Sequence, residues 1–425
     1  MLTVHSIRCD VRGAIAAMAR SGRALVRRLV LTAVAVGGAG APAPLHAVIF
    51  YSTADTSLNT TAPSGALANS GWQWQGDWGS FSGTMIGPHH FITVGHAGGI
   101  VGQAFSFGGL SYTTTRVFDD PETDLSIWEV REAFPTSAAL YRLVNENGRS
   151  FVAFGRGYTR GTEVRDPGTN TLRGWLYGGS PGTRRWGQNT VATAVNLGPG
   201  LGEMLYSTFD ASGGTNECHL ATYDSGGAIF IKDGSIWKLA GIAYAVSAYF
   251  STTGTDSGFL AAVFDLRGLY YGSTGSWTYF DPNPAVNPAP IPSGFYCIRI
   301  SSRTAWIDGV LATPLTAMVT LSNLEQTYDG SPRAVTVTTL PAGLAVSVTY
   351  NGSSVPPNAA GRYAVVATVT EAGYVGSASG TLNITAATSG VAVPGMNSWA
   401  LFASAAGLVC AAVVALQGRR AAGAT

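Results

Sequence analysis

The chain has 425 residues, enough for two or three domains and a sizeable core. A formal charge of +1 and a charged fraction of only 12% exclude a strongly basic nucleic-acid surface, and no basic run interleaved with aromatics occurs in the body. Its 55 glycines, with abundant Thr, Ser, Val and Tyr, favour strands joined by tight turns over long helices, so the expected class is all-β.

The first segment carries Arg8, Arg12, Arg20, Arg23, Arg27 and Arg28, then the apolar Leu29 to Val36, then small residues ending Leu45-His46-Ala47. That is the pattern of a secretory signal peptide over residues 1–47, cut after Ala47, with Met18 as the favoured translation start. Residues 48–70 are polar and read as a segment draped over the body. Strand patterns then recur to about residue 150. Phe91-Ile92-Thr93-Val94-Gly95-His96 is a β-branched apolar run ending in a histidine. His89 and His90 follow Gly87-Pro88 in a turn; with His96 they suggest a metal site, but no carboxylate or further ligand stands at a helical spacing, so no metal is expected. Asp119-Asp120-Pro121 marks a turn, and Asp124 heads the alternating strand Leu125-Ser126-Ile127-Trp128.

Phe151 to Gly155 reads as a strand, and Gly168 to Gly187 as a Gly/Arg/Trp-rich hairpin region. Thr222-Tyr223-Asp224-Ser225-Gly226-Gly227-Ala228 then precedes two apolar runs parted by Asp233-Gly234, a strong hairpin pattern. A serine on a tight turn, backed by two glycines and fixed by strands behind it, suits a nucleophile. About Ser247 to Pro292 reads as an insertion, closing on Asn287-Pro288-Ala289-Pro290-Ile291-Pro292.

The order His96, Asp124, Ser225 resembles that of the chymotrypsin/trypsin-like serine peptidases. Phe81 to Ile86 is similar to the strand leading to that family's histidine, and Ala305-Trp306-Ile307 to its closing helix, so the resemblance covers about residues 70–312. It implies two antiparallel β-barrels, with His96 and Asp124 on the first and Ser225 on the second. It also implies a serine endopeptidase with a protein or peptide substrate and no cofactor. His96 would be the base, Asp124 its orienting acid, and the N–H groups of Tyr223 and Ser225 the oxyanion hole. Tyr223 departs from the family's glycine, which suggests a peptide flipped away from that hole. Counting back from Ser225 places His219 at the floor of the specificity pocket, so no carboxylate awaits Arg or Lys. Tyr244 falls on the substrate-pairing edge, Val246 at the pocket mouth, and Gly294 on the opposite wall, with Gly258 as the alternative; a small or partly blocked pocket is expected. With Cys9 in the signal peptide and Cys410 in the tail, Cys218 and Cys297 are left for one disulfide, two free buried thiols being the alternative. Asp224 occupies the place of the family's partner for a new N-terminal ammonium. No Ile-Val-Gly-Gly-like start precedes His96, so a different partner is favoured here.

Residues 313–387 read as a small β-sandwich. Thr327-Tyr328-Asp329-Gly330, Val348-Thr349-Tyr350-Asn351-Gly352 and Gly361 to Val369 resemble the MBG family of bacterial Ig-like modules. Over 388–425, Val393-Pro394-Gly395-Met396 leads to an uncharged stretch from Trp399 to Leu416 and then Arg419-Arg420. This resembles the PEP-CTERM and IPTL-CTERM sorting tails and implies a partner in the bacterial membrane or sorting machinery, hence an exported, surface-associated protein. The competing reading of the whole is an inactive pseudopeptidase displayed as a binding or adhesion module, motivated by Tyr223, Val246 and the Ig-like neighbour.

Overall fold

A computed structural model describes residues 48–179, 182–247 and 249–387. The expected signal peptide (1–47) and C-terminal sorting segment (388–425) lie outside the described residues. The chain divides into two compact units between Thr316 and Ala317, and both are built almost wholly from strands.

In the first unit β1 (Ile49–Phe50) precedes six strands, β2 (Gln75–Trp78), β3 (Phe81–Gly87), β4 (His90–Val94), β5 (Ala104–Phe107), β6 (Leu110–Asp119) and β7 (Leu125–Val130). They close into an antiparallel barrel in the order β2-β3-β4-β7-β6-β5, with Asp77 opposite Ser106 at the seam. Every residue of β4 and β7 is buried, and their alternation sorts two apolar sets. Phe91, Trp128 and Val130 fill the barrel with Trp78, Met85 and Phe105. Ile92, Val94, Leu125 and Ile127 face outward, against Val152, Phe154, Phe230 and Ile298 of the next sheet.

That sheet draws on β8 (Ser150–Gly155), β11 (Arg185–Thr190), β12 (Thr193–Asn196), β13 (Glu203–Thr208), β15 (Ala228–Asp233), β16 (Ile236–Val246) and β21 (Gly294–Arg299). Its seven strands run in the order β11-β8-β15-β16-β21-β13-β12. The two end strands are parted in the chain only by Val191 and Ala192, so one bent stretch supplies both ends and the sheet is rolled. The Ala192 N–H donates to Tyr206 O at 2.9 Å, and Asn189 Nδ2 to Thr208 O at 2.7 Å, across the bend. Phe151, Ala153, Leu205, Ile229, Ile231, Ala243, Phe295 and Cys297 pack inside the roll.

Between these strands β9 (Thr159–Arg165) and β10 (Leu172–Gly178) form a hairpin, joined by β18 (Ala261–Val263). β14 (Cys218–His219) pairs with β1. β17 (Tyr249–Ser251), β19 (Tyr270–Ser273) and β20 (Ser276–Tyr279) make a small sheet of the insertion. Arg173 is buried between Asp166 and Asp265 and ties the hairpin to the insertion, so this segment is braced by charge as well as by sheet pairing. Helix α1 (Thr304–Leu311) buries Ile307 and Val310 in the core between barrel and rolled sheet.

The expected Cys218–Cys297 disulfide is corrected: both are free, fully buried thiols. They stand on β14 and β21, which do not pair, and both pack as small apolar side chains in the same core.

The second unit alternates half-buried and exposed residues along its strands, the pattern of sheets with one face inward. Met318–Ser322 pairs with Thr336–Leu340. A four-stranded sheet runs Glu325–Thr327, Ser377–Thr385, Gly361–Val369, Val346–Tyr350, its first pair parallel and the others antiparallel. Tyr350, Val365, Leu382 and Ile384 form its core.

Candidate active site

The register of the barrel brings His96 and Asp124 together. Val94, at the end of β4, pairs with Leu125 at the start of β7, so the residues just beyond them meet. The Gly95 N–H donates to Asp124 O at 2.6 Å, and His96 Nδ1 lies 2.5 Å from Asp124 Oδ2. That contact fixes the imidazole with its proton on Nδ1 and leaves Nε2 as the basic nitrogen. The His96 ring is bracketed by Phe81 and Tyr244, at centroid distances of 6.1 and 5.7 Å.

Asp120 differs from its reading as a simple turn residue. Its side chain is fully buried and takes Arg303 in two contacts, Nε to Oδ2 at 2.8 Å and Nη2 to Oδ1 at 2.6 Å, with Thr123 Oγ1 at 2.6 Å. Replacing it by Asn removes the buried counter-charge of the Arg303 guanidinium and leaves it only the exposed Glu122 carboxylate. Asp120→Asn should lower unfolding stability by about 3 kcal/mol while the folded fraction keeps its site. Urea denaturation checks this: an unchanged midpoint would contradict the structural role.

Ser225 sits on the turn between β14 and β15. The turn is closed by Asp224 N–H to Ala221 O at 3.0 Å and Gly227 N–H to Asp224 O at 2.9 Å. The buried Asp224 carboxylate accepts the N–H groups of Gly157 at 2.6 Å and Ala221 at 2.7 Å. Gly226 has a φ of 77°, and a Cβ there would lie 2.2 Å from Ser82 O and 2.4 Å from Thr93 Oγ1. At Gly227 a Cβ would lie 2.1 Å from Phe154 O. Only glycine fits at either position, so the turn is wedged between β3 and β8, while the Gly226 N–H donates to Ala243 O of β16 at 3.0 Å. The Ser82 N–H reaches Ser225 O at 3.4 Å, which sets Ser225 beside Phe81 and thereby on the His96 side of the turn. Neither Ser225 Oγ nor His96 Nε2 has a hydrogen-bond partner among the described residues.

Tyr223 has a φ of 73°, a region glycine enters freely and tyrosine only with strain. Thr222 O, in the peptide unit before it, accepts the Tyr158 N–H at 3.2 Å, which turns the Tyr223 N–H the opposite way. Among the described residues the N–H groups of Tyr223 and Ser225 donate to nothing. The peptide between Thr222 and Tyr223 is thus held by Tyr158.

The remaining positions named from the sequence separate. His219 is 0% exposed, its Nδ1 bonded to Leu220 O and its Nε2 facing Ser293 Oγ at 3.4 Å, within a shell of Tyr177, Phe209 and Phe295. Val246 and Ala245 pair with Phe295 and Tyr296 of β21. Gly294 is enclosed by β13: a Cβ would lie 2.2 Å from Ser207 O, so its lack of a side chain answers to packing there. Gly258 lies against Trp277. His89, His90 and His96 are not gathered. His89 Nδ1 meets Val130 O, His90 is buried beside Phe118, and His96 holds Asp124. Gly157 and Tyr158 went unmarked in the sequence because they reach Asp224 and Tyr223 from the distant stretch after β8, and Phe81, read only as part of a strand, also lies against Tyr223.

Four buried groups give the protein a calculable response to pH. Burial lowers His90 and His219 from the usual 6.5 to about 4, and raises Asp224 to about 7 and Glu217 to about 8. For the histidines the unfolded chain binds more protons between about 4 and 6.5, so their contribution is full above 6.5 and lost as pH falls. For the carboxyls the folded state binds more protons, so their contribution is lost as pH rises through 7 and 8. The two effects oppose each other below 6.5, and only the carboxyls titrate above it. Unfolding free energy should therefore fall between pH 6.5 and 8, and Glu217→Gln should flatten that fall; urea titrations at both pH values read it directly. A flat profile would show both carboxyls already charged in the folded protein.

Residues 317–388 match the family model of the MBG domain. Among solved structures the chain is similar to neuropsin, a serine protease expressed in the limbic system of mouse brain. The identity is 15% and the TM-score 0.35, over 57% of this chain and 96% of that one. No curated protein matches the sequence.

Proposed function

We propose that residues 48–316 are a serine endopeptidase that cleaves peptide bonds through Ser225, His96 and Asp124. The reading is carried by the His96 Nδ1–Asp124 Oδ2 contact of 2.5 Å, set beside a serine turn with two N–H groups left undonated. In this reading the rolled seven-stranded sheet is the second barrel of a trypsin-like pair. His96 Nε2 takes the Ser225 hydroxyl proton as Oγ attacks the carbonyl carbon, and Asp124 stabilises the imidazolium. The N–H groups of Tyr223 and Ser225 receive the developing oxyanion. His96 then gives the proton to the leaving amine, and water repeats the sequence to release the acyl group. The enzyme is exported through the segment before Val48 and displayed by its C-terminal tail, with the MBG module as spacer.

A second reading, a pseudopeptidase used as a binder, is favoured by one observation: Ser225 Oγ and His96 Nε2 share no hydrogen bond. Catalytic contacts of this kind tighten when substrate arrives, so the enzyme reading is preferred. A fluorophosphonate probe decides between them. Covalent labelling at Ser225, mapped by peptide mass spectrometry, is expected; a folded protein left unlabelled at Ser225 makes the pseudopeptidase the better reading.

A further inference from the structure

Tyr223 holds a strained backbone where glycine would be free, and strain of this kind, about 1–3 kcal/mol, persists only where the surroundings over-determine it and clusters at active sites and ligand clamps. Its ring is only half-buried. It lies between two other half-buried rings, Phe81 at 5.8 Å and Tyr158 at 5.5 Å. The three rings belong to β3, the stretch after β8, and the serine turn, so three separate parts of the chain converge on one aromatic surface.

The position of that surface relative to Ser225 gives it a role. β15 stops pairing with β16 at Ile242, whereas β16 continues to Val246 with β21 on its other edge. An extended peptide can add to β16 at 245–246, as strands commonly capture ligands. Ser225 stands between β16, reached through Gly226 N–H to Ala243 O, and β3, reached through Ser82 N–H to Ser225 O. A chain added antiparallel to β16 at 245–246 runs towards Ala243 and Ser225, so its part beyond Ser225, on the Phe81 and Tyr223 side, is the leaving-group part.

We infer that the Phe81–Tyr223–Tyr158 surface binds an aromatic or large aliphatic side chain of the substrate on the leaving-group side of the cleaved bond, with Tyr223 as its central specificity residue. The inference rests on the endopeptidase reading. Seating such a side chain against three rings discriminates it from glycine by roughly tenfold.

Acyl transfer to added amines tests this without knowledge of the natural substrate. An N-acylated alanine nitrophenyl ester acylates Ser225 and releases nitrophenol. An added amine then bonds to the acyl carbon, the Oγ–acyl bond breaks, and the amine proton passes through His96 to Ser225 Oγ. With phenylalaninamide and glycinamide as competing acceptors, the wild type should favour the aromatic amide about tenfold. Tyr223→Gly and Tyr158→Leu should each bring that ratio towards unity; any loss of overall rate cancels in the ratio. Equal use of the two amides by the wild type, or an unchanged ratio in both variants, overturns the inference. If the ester and the fluorophosphonate both fail to modify Ser225, the endopeptidase reading falls as well, a result distinct from a working acyl-enzyme without preference.

Discussion

Ser225→Ala and His96→Ala should each remove nearly all peptide hydrolysis, a loss on the order of 10⁵-fold or more, and the double variant should cost little beyond either one. The reasoning is that a proton acceptor without its nucleophile, or a nucleophile without its acceptor, performs no part of the reaction. The structure prepares both halves separately. His96 is held by Asp124 at 2.5 Å, and Ser225 is held by a turn that owes nothing to His96. Each single variant should therefore stay folded. Rates for the three purified variants on a peptide mixture check the claim; multiplicative losses in the double variant would show that the two residues act independently. Ser225→Ala with wild-type turnover would remove the serine from the mechanism.

Asp124→Asn is expected to lose about 10⁴-fold in turnover with little loss of stability. An amide in place of the carboxylate can still meet Nδ1, but its NH₂ group favours the imidazole with the proton on Nε2, the wrong atom for accepting one from Ser225. The geometry supports intact folding, because Asp124 is part-exposed and the strand junction is held by its main chain, through Gly95 N–H to Asp124 O at 2.6 Å. Turnover measured beside urea denaturation separates this from the effect expected at Asp120. One aspartate should weaken chemistry and the other stability, although they stand four positions apart. A variant at Asp124 that loses both together would mean that the carboxylate serves chiefly as a brace.

The strings around His96, Asp124 and Ser225 are legible because each carries its own local grammar: a buried run ending at a turn, an alternating strand with an acid at its head, a serine with glycines behind it. The all-β class and the alternating strands of the second unit are legible for the same reason, since period-two burial is written into neighbouring residues. What escapes is set by partners far apart in the chain. Asp120 looks like a turn residue until Arg303, 183 positions later, is seen on its carboxylate. Nothing near Gly294 in the chain announces that Ser207 O lies where its side chain would be. Cys218 and Cys297 share a core without sharing a strand pair, a distinction that composition cannot express. The hairpin at β9–β10 finds its third strand far along the chain, Leu176 facing Ala261 and Gly174 facing Val263, beyond the reach of any window of periodicity.

Gly226 and Gly227 stand against the carbonyl oxygens of Ser82 and Phe154, atoms that no side-chain rotation can move aside. Evolution is therefore offered unequal choices at three adjacent codons. A change at Ser225 silences chemistry and leaves a folded surface that can still be kept for binding; a change at either glycine removes the turn and with it the surface. A lineage drifting from enzyme to adhesive module has one exit through this stretch, and it would retain both glycines long after the serine was gone.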